Sequence, residues 1–170
     1  DETAYIINLT GSEAEKVLDA TPSSANTVFE TSVSCMGASI CQVGLRDSQA
    51  LLQACVETVR EAEVPNGALP QIHICGCPSS CVTHQTGVIG FRGAVKPVDD
   101  QPKNAFVLFA NGEEHQDEER MGREIGTMEE SLIPQFLVEL GQTVAASGMD
   151  YLSWEQKNPE GIDKVAEKYL

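Results

Sequence analysis

Four of the chain's six cysteines fall into two pairs: Cys35 and Cys41, spaced C-x5-C, and Cys77 and Cys81, spaced C-x3-C. The second pair sits in Gly76-Cys77-Pro78-Ser79-Ser80-Cys81. Four thiolates from two loops can hold one iron–sulfur cube, with one protein ligand at each iron corner. Gly37, Ala38 and Ser39 in the first loop, and Gly76, Ser79 and Ser80 in the second, let backbone approach a cluster closely. Amide N–H groups aimed at sulfur then offset its negative charge. Pro78 stiffens its turn and removes one donor. Two other chemistries use the same residues. A four-cysteine zinc site accepts C-x3-C, although C-x5-C is wide for a zinc knuckle. An even cysteine count also suits disulfides, which a chain of 170 residues does not need in order to fold.

The remaining polar candidates carry weaker patterns. Cys55 falls on the apolar side of a helical segment and reads as packing. Cys75 precedes Gly76 in a strand and reads as core, or as a contact to whatever Cys77 binds. His84 lies three residues beyond Cys81 and reads as a loop histidine without a role, or as a hydrogen-bond or proton donor near a cofactor. His73 alternates with apolar neighbours and reads as a strand-face residue, and His115 sits in an acidic loop. No Ser/His/Asp set or carboxylate pair stands out.

The elements that must position these loops follow from periodicity. Residues 5–9 read as a short strand. Ser12-x-x-Glu15 then caps a helix running to about residue 20. Residues 27–34 form a β-branched strand that leads into Cys35. Leu51, Leu52, Cys55, Val56 and Val59 recur at helical spacing and predict a long helix over 46–63. Strands follow over 69–75, 87–95 and 104–110, with a turn at Asn111-Gly112. Thr127-x-x-Glu130 caps a second long helix, whose buried stripe is Leu132, Phe136, Leu137, Leu140 and Val144. An aromatic segment, 151–154, precedes a last helix that opens at Asn158-Pro159. This order predicts one α/β domain over 1–170. It is a layered domain with a mixed sheet of four to six strands, helices packed on it, and the cysteine loops at one edge.

Charge narrows the partners. Lys and Arg number 11 against 26 Asp and Glu, a net charge of −15. No basic stripe is present to neutralise phosphates, so nucleic acid and anionic membranes are not expected partners. No apolar run approaches the length of a membrane span. The chain opens at Asp1 without a signal segment. Together with clustered cysteines, this predicts a reducing cytoplasm.

The run Cys35-Met36-Gly37-Ala38-Ser39-Ile40-Cys41, then Ile72-His73-Ile74-Cys75-Gly76-Cys77-Pro78-Ser79-Ser80-Cys81, then Gly87-Val88-Ile89-Gly90-Phe91-Arg92-Gly93, resembles the sirohaem and [4Fe-4S] domain of sulfite and nitrite reductases. The likeness extends through the Phe-rich strand, the second long helix and Tyr151-Leu152-Ser153-Trp154. It implies that Cys35, Cys41, Cys77 and Cys81 bind a [4Fe-4S] cluster and that Cys81 also bridges to the sirohaem iron. It implies an oxidoreductase taking sulfite to sulfide, or nitrite to ammonia, by six electrons. Its partners would be the remaining domains of the enzyme, an electron donor such as ferredoxin or a reductase subunit, and a small inorganic anion. Ser79 stands where the family often has Asn. Only Lys16 is basic among the residues before Cys35, whereas the family's anion-binding side chains come largely from that side. The chain therefore resembles the C-terminal cluster-binding part of a longer enzyme, inactive by itself. Arg46, Arg92 and Lys96 are its local candidates for a cofactor carboxylate. Two other roles use the same four cysteines: an electron-transfer module without haem, and a zinc-stapled interaction domain.

Overall fold

A computed structural model describes residues 6–21 and 25–170. Among these the first helix, α1, spans Gly11–Ala20. Its cap differs from the expected one. The Thr10 N–H and hydroxyl both donate to Glu13, at 2.9 and 2.6 Å, so the box starts two residues early. Tyr5 lies outside the described residues, and Ile6 to Leu9 form no strand. The strand expected over 27–34 is mostly a 3-10 turn, Phe29–Thr31, followed by the two-residue strand β1, Val33–Ser34.

Helix α2, Ser48–Glu61, is capped by Asp47, whose Oδ1 accepts the Ala50 N–H at 3.1 Å. Leu51, Cys55 and Val59 are its buried stripe, as the spacing predicted. Strands β2 (Ile72–Cys75), β3 (Ile89–Val98) and β4 (Gln101–Ala110) follow. Strands β3 and β4 run on beyond the expected bounds into one long hairpin, with Val98 paired to Gln101. Asp99 and Asp100, at φ 49° and 58°, make its two-residue turn. Aspartate tolerates this left-handed geometry, and primed turns match strand twist.

A fifth strand, β5 (Arg123–Glu129), stands where sequence pointed to a helix start. Thr127 pairs with Val107, and Met128 opposite Phe106 is fully buried. Ladder bonds and that burial outweigh a capping signal worth about 1 kcal/mol. The helix α3, Ile133–Ala146, begins after a 3-10 turn, with a proline in its first turn. Helices α4 (Tyr151–Lys157) and α5 (Gly161–Ala166) complete the chain. The aromatic segment is thus helical, and Asp150 caps it by accepting the Ser153 N–H at 2.9 Å.

The five strands lie in the order β1-β2-β3-β4-β5. The β1–β2 and β2–β3 pairs are parallel, and the rest are antiparallel. This is the mixed α/β sheet expected from sequence. On one face Ile72, Ile74, Ile89, Phe91, Phe106 and Leu108 pack against α2, α3, α4 and α5. Each fully buried side chain of this size contributes about 1.5–3 kcal/mol. Gly141 lets α3 approach closely, because a Cβ there would lie 2.6 Å from Val64 Cγ1. The other face is covered differently. Adjacent parallel strands need a crossover, usually a helix. Here residues 76–88, without a helix, join β2 to β3 and carry the second cysteine pair. No helix among the described residues is long and apolar enough to cross a membrane.

Candidate functional site

Both cysteine loops leave the carboxyl ends of parallel strands, where open α/β sheets place their ligand sites. Cys35 directly follows β1, and its N–H extends the ladder by donating to the Ile74 carbonyl at 3.0 Å. The chain then turns through Gly37, at φ 68°. A Cβ at Gly37 would meet the Ser48 nitrogen at 2.7 Å, so the turn is packed against the start of α2. The Cys41 N–H closes the loop onto the Gly37 carbonyl at 2.8 Å, and the Ala38 N–H bonds the Arg46 carbonyl at 2.9 Å.

Gly76 locks the two loops together. Its N–H donates to Cys35 Sγ at 3.1 Å. Its carbonyl accepts the N–H groups of Leu45 and Arg46, at 3.2 and 2.9 Å. A side chain at Gly76 would run into the Arg46 carbonyl, and one at Gly93 into the Gly76 carbonyl. The Arg46 Nε donates to the Ala94 carbonyl at 2.7 Å, tying the first loop to β3 as well. Three segments therefore meet at residue 76 with no room for a methyl group.

The thiols differ in environment. Cys77 is buried, Cys35 and Cys41 are half-buried, and Cys81 is exposed; all six cysteines are free. Burial alone would push the Cys35 thiol up. The Gly76 N–H and the Ser48 hydroxyl outweigh it, with smaller help from nearby backbone, and hold the thiol below its ordinary value. Ser48 Oγ lies 3.2 Å from Cys35 Sγ and 2.9 Å from the Cys35 carbonyl, and its one hydroxyl proton serves either of them. Sequence reasoning passed over this fully buried serine; its signal was a hydroxyl in the first turn of an otherwise apolar-striped helix. Cys55 packs in the core, where burial pushes its thiol far up. Cys75 is buried on the sheet face away from the helices, its sulfur 3.5 Å from the Val82 N–H, and burial raises its thiol too. Among the described residues, no three His, Cys, Asp or Glu side chains gather where a single ion would bind.

The crossover loop packs on that same face. His73 on β2 and Phe109 on β4 flank Gly90 on β3, which pairs with both. His84 fits over Gly90, where a side chain would strike its carbonyl. The His84 ring tilts against Phe109, with centroids 5.1 Å apart, and the Arg92 guanidinium stands 5.2 Å from the same ring. Burial first, then Arg92 and His73, push the His84 imidazole down to about 4. His73 Nδ1 lies 2.8 Å from the Val82 carbonyl and its Nε2 lies 3.8 Å from Glu114. The expected face residue is thus a buried strut of the crossover loop. Lys96 lies out along the hairpin opposite Lys103, and His115 is exposed beside Glu113.

Sequence reasoning also missed a rim of apolar side chains. Met36, Ile40, Val43 and Leu45, all on or just after the first cysteine loop, are exposed. The signal was the presence of large apolar residues inside a C-x5-C turn.

No family model and no curated protein matches the chain. Among solved structures, the structure of Mycobacterium tuberculosis NirA protein matches with a TM-score of 0.68 at 19% identity. The match covers 78% of this chain and 26% of that one. The two share a fold, and the present chain corresponds to about a quarter of the longer protein.

Proposed function

We propose that this chain is a [4Fe-4S]-binding domain of a sirohaem-dependent oxidoreductase of the sulfite and nitrite reductase family, which its two cysteine runs resemble. The observation that carries the reading is the junction at Gly76. It fixes the C-x5-C and C-x3-C loops against each other at the carboxyl ends of β1 and β2, with an N–H aimed at Cys35 Sγ. A donor set of four thiols on tight, glycine-lined turns fits an anionic iron–sulfur cube. Arg92, beside the crossover loop in a chain of net charge −15, adds local positive charge for such a group or for a cofactor carboxylate.

In this reading Cys35, Cys41, Cys77 and Cys81 would hold the cluster, and Cys81, the exposed thiol, would also serve the sirohaem. When bound, the cluster and haem supply single-electron transfer to a small oxyanion such as sulfite or nitrite. The chain's own part is to hold and shield. Gly76 and Ser48 stabilise the Cys35 thiolate. The crossover loop orients Cys77 and Cys81, and Arg46 ties the first loop to β3. The apolar rim from Met36 to Leu45 excludes water once covered by the remaining domains of the enzyme. Anion-binding side chains and the electron-donor surface would come from those domains.

The test is iron, acid-labile sulfide and the visible spectrum of anaerobically prepared protein. About four of each per chain are expected. Cys81→Ser should lose them, and Cys55→Ser should keep them. Cluster without haem bands would leave an electron-transfer module. About one zinc per chain and no visible band would replace the reading with a structural metal site.

A further inference from the structure

The crossover loop holds one polar group that the cysteines do not explain. His84 is 3% exposed. Its Nδ1 is sealed from solvent and has no hydrogen-bond partner. Buried nitrogens are rarely left this way, and an orphaned N–H is rarer than an orphaned acceptor. Nδ1 therefore carries its lone pair, and the proton sits on Nε2. The ring has little freedom to change this. Its carbonyl is pressed onto Gly90, and its face is tilted on Phe109. Arg92 shares the same aromatic ring, and His73, itself beside Glu114, stands on the next strand. Arg92 and His73 both disfavour a charged imidazole; Glu124, 3.7 Å from Arg92, is the nearest acidic counterweight on β5.

We propose that His84 is a positioning residue for the group held by Cys77 and Cys81: a neutral imidazole that offers Nε2–H to it while Nδ1 stays sealed against the sheet. This rests on the function proposed above. Cys75 and Arg92 occupy the adjacent row of the sheet, which runs on through Gly76 to Cys77. His84 is thus anchored one row from Cys75, which is two residues before Cys77, on the loop that carries two of the candidate ligands. A fixed neutral donor beside an anionic centre stabilises its reduced, more negative state and so raises its potential.

Two variants separate this role from packing. His84→Phe keeps a ring on Phe109 and removes both nitrogens. His84→Gln restores a side-chain N–H. In the anaerobic, iron-loaded 170-residue chain, the midpoint potential should fall in His84→Phe and recover at least in part in His84→Gln. In the metal-free chain, 15N NMR should show the Nε2–H tautomer at His84. A potential unchanged in His84→Phe, or a proton on Nδ1, overturns the proposal while leaving the cluster reading intact. A wild-type chain that takes up no iron overturns both, and is recognised from the iron count alone.

Discussion

A methyl group at residue 76 has nowhere to go, because the Arg46 carbonyl fills that space and Gly93 backs it from β3. Gly76→Ala must therefore part the two cysteine loops. Overpacking of this kind costs about 1–3 kcal/mol, and at this chain length that lowers the melting temperature by roughly 3–10 °C. The same variant should lose iron, and calorimetry with metal analysis checks both. His84 gives a prediction in pH. Its folded value of about 4 lies below the roughly 6.5 of an unfolded histidine. Between these values the unfolded chain takes a proton that the folded chain refuses. The stability involved is fully present above about pH 6.5 and is lost as pH falls through about 4. Urea midpoints at about pH 7 and 4.5 should therefore diverge more in the wild type than in His84→Phe, and an equal difference in the two would contradict the assignment. The four candidate thiols, and His84 near them, were legible as residue types and spacings. Ser48 and Phe109 were not, because their roles depend on which loop the fold lays over them.

At the scale of elements, α1 is the outlier. None of its residues is buried, and Leu18 is 63% exposed. Isolated helices of this length are marginal in water, so α1 adds little to the domain. Removing residues 1–21 should leave the melting temperature unchanged within about 1 °C, whereas a drop of several degrees would show that α1 packs on the domain. The elements read correctly from sequence are those whose apolar spacing coincides with burial, such as α2 with Leu51, Cys55 and Val59. The failures have physical causes. Thr127-x-x-Glu130 resembles a cap, yet residues 123–129 complete the sheet beside β4, and no local signal encodes that pairing. Pro97 and Pro102, directly opposite each other in the hairpin, concealed the outer halves of β3 and β4. Thr10 serves as α1's cap because it directly precedes the helix, and Ser12 lies inside it.

On the scale of the whole molecule, three features bear on the proposal that further domains complete the site. The chain spans 26% of the NirA chain it matches. Its first cysteine loop carries exposed Met36, Ile40, Val43 and Leu45, and its net charge is −15. Under the proposed function, the remaining domains of the enzyme would cover this apolar rim. The mixed sheet supplies the logic of the site: two parallel strands end side by side, and the crossover between the next pair is a loop in place of a helix. That substitution puts the second cysteine pair on a loop leaving β2, the strand next to the one that leads into the first. The most direct test of this account is an anomalous difference map, recorded at the iron absorption edge from anaerobically grown crystals. We predict one compact peak, resolving into about four irons, within bonding distance of the sulfurs of Cys35, Cys41, Cys77 and Cys81. A single peak that persists only at the zinc edge, or cysteine pairs joined as disulfides, would contradict it.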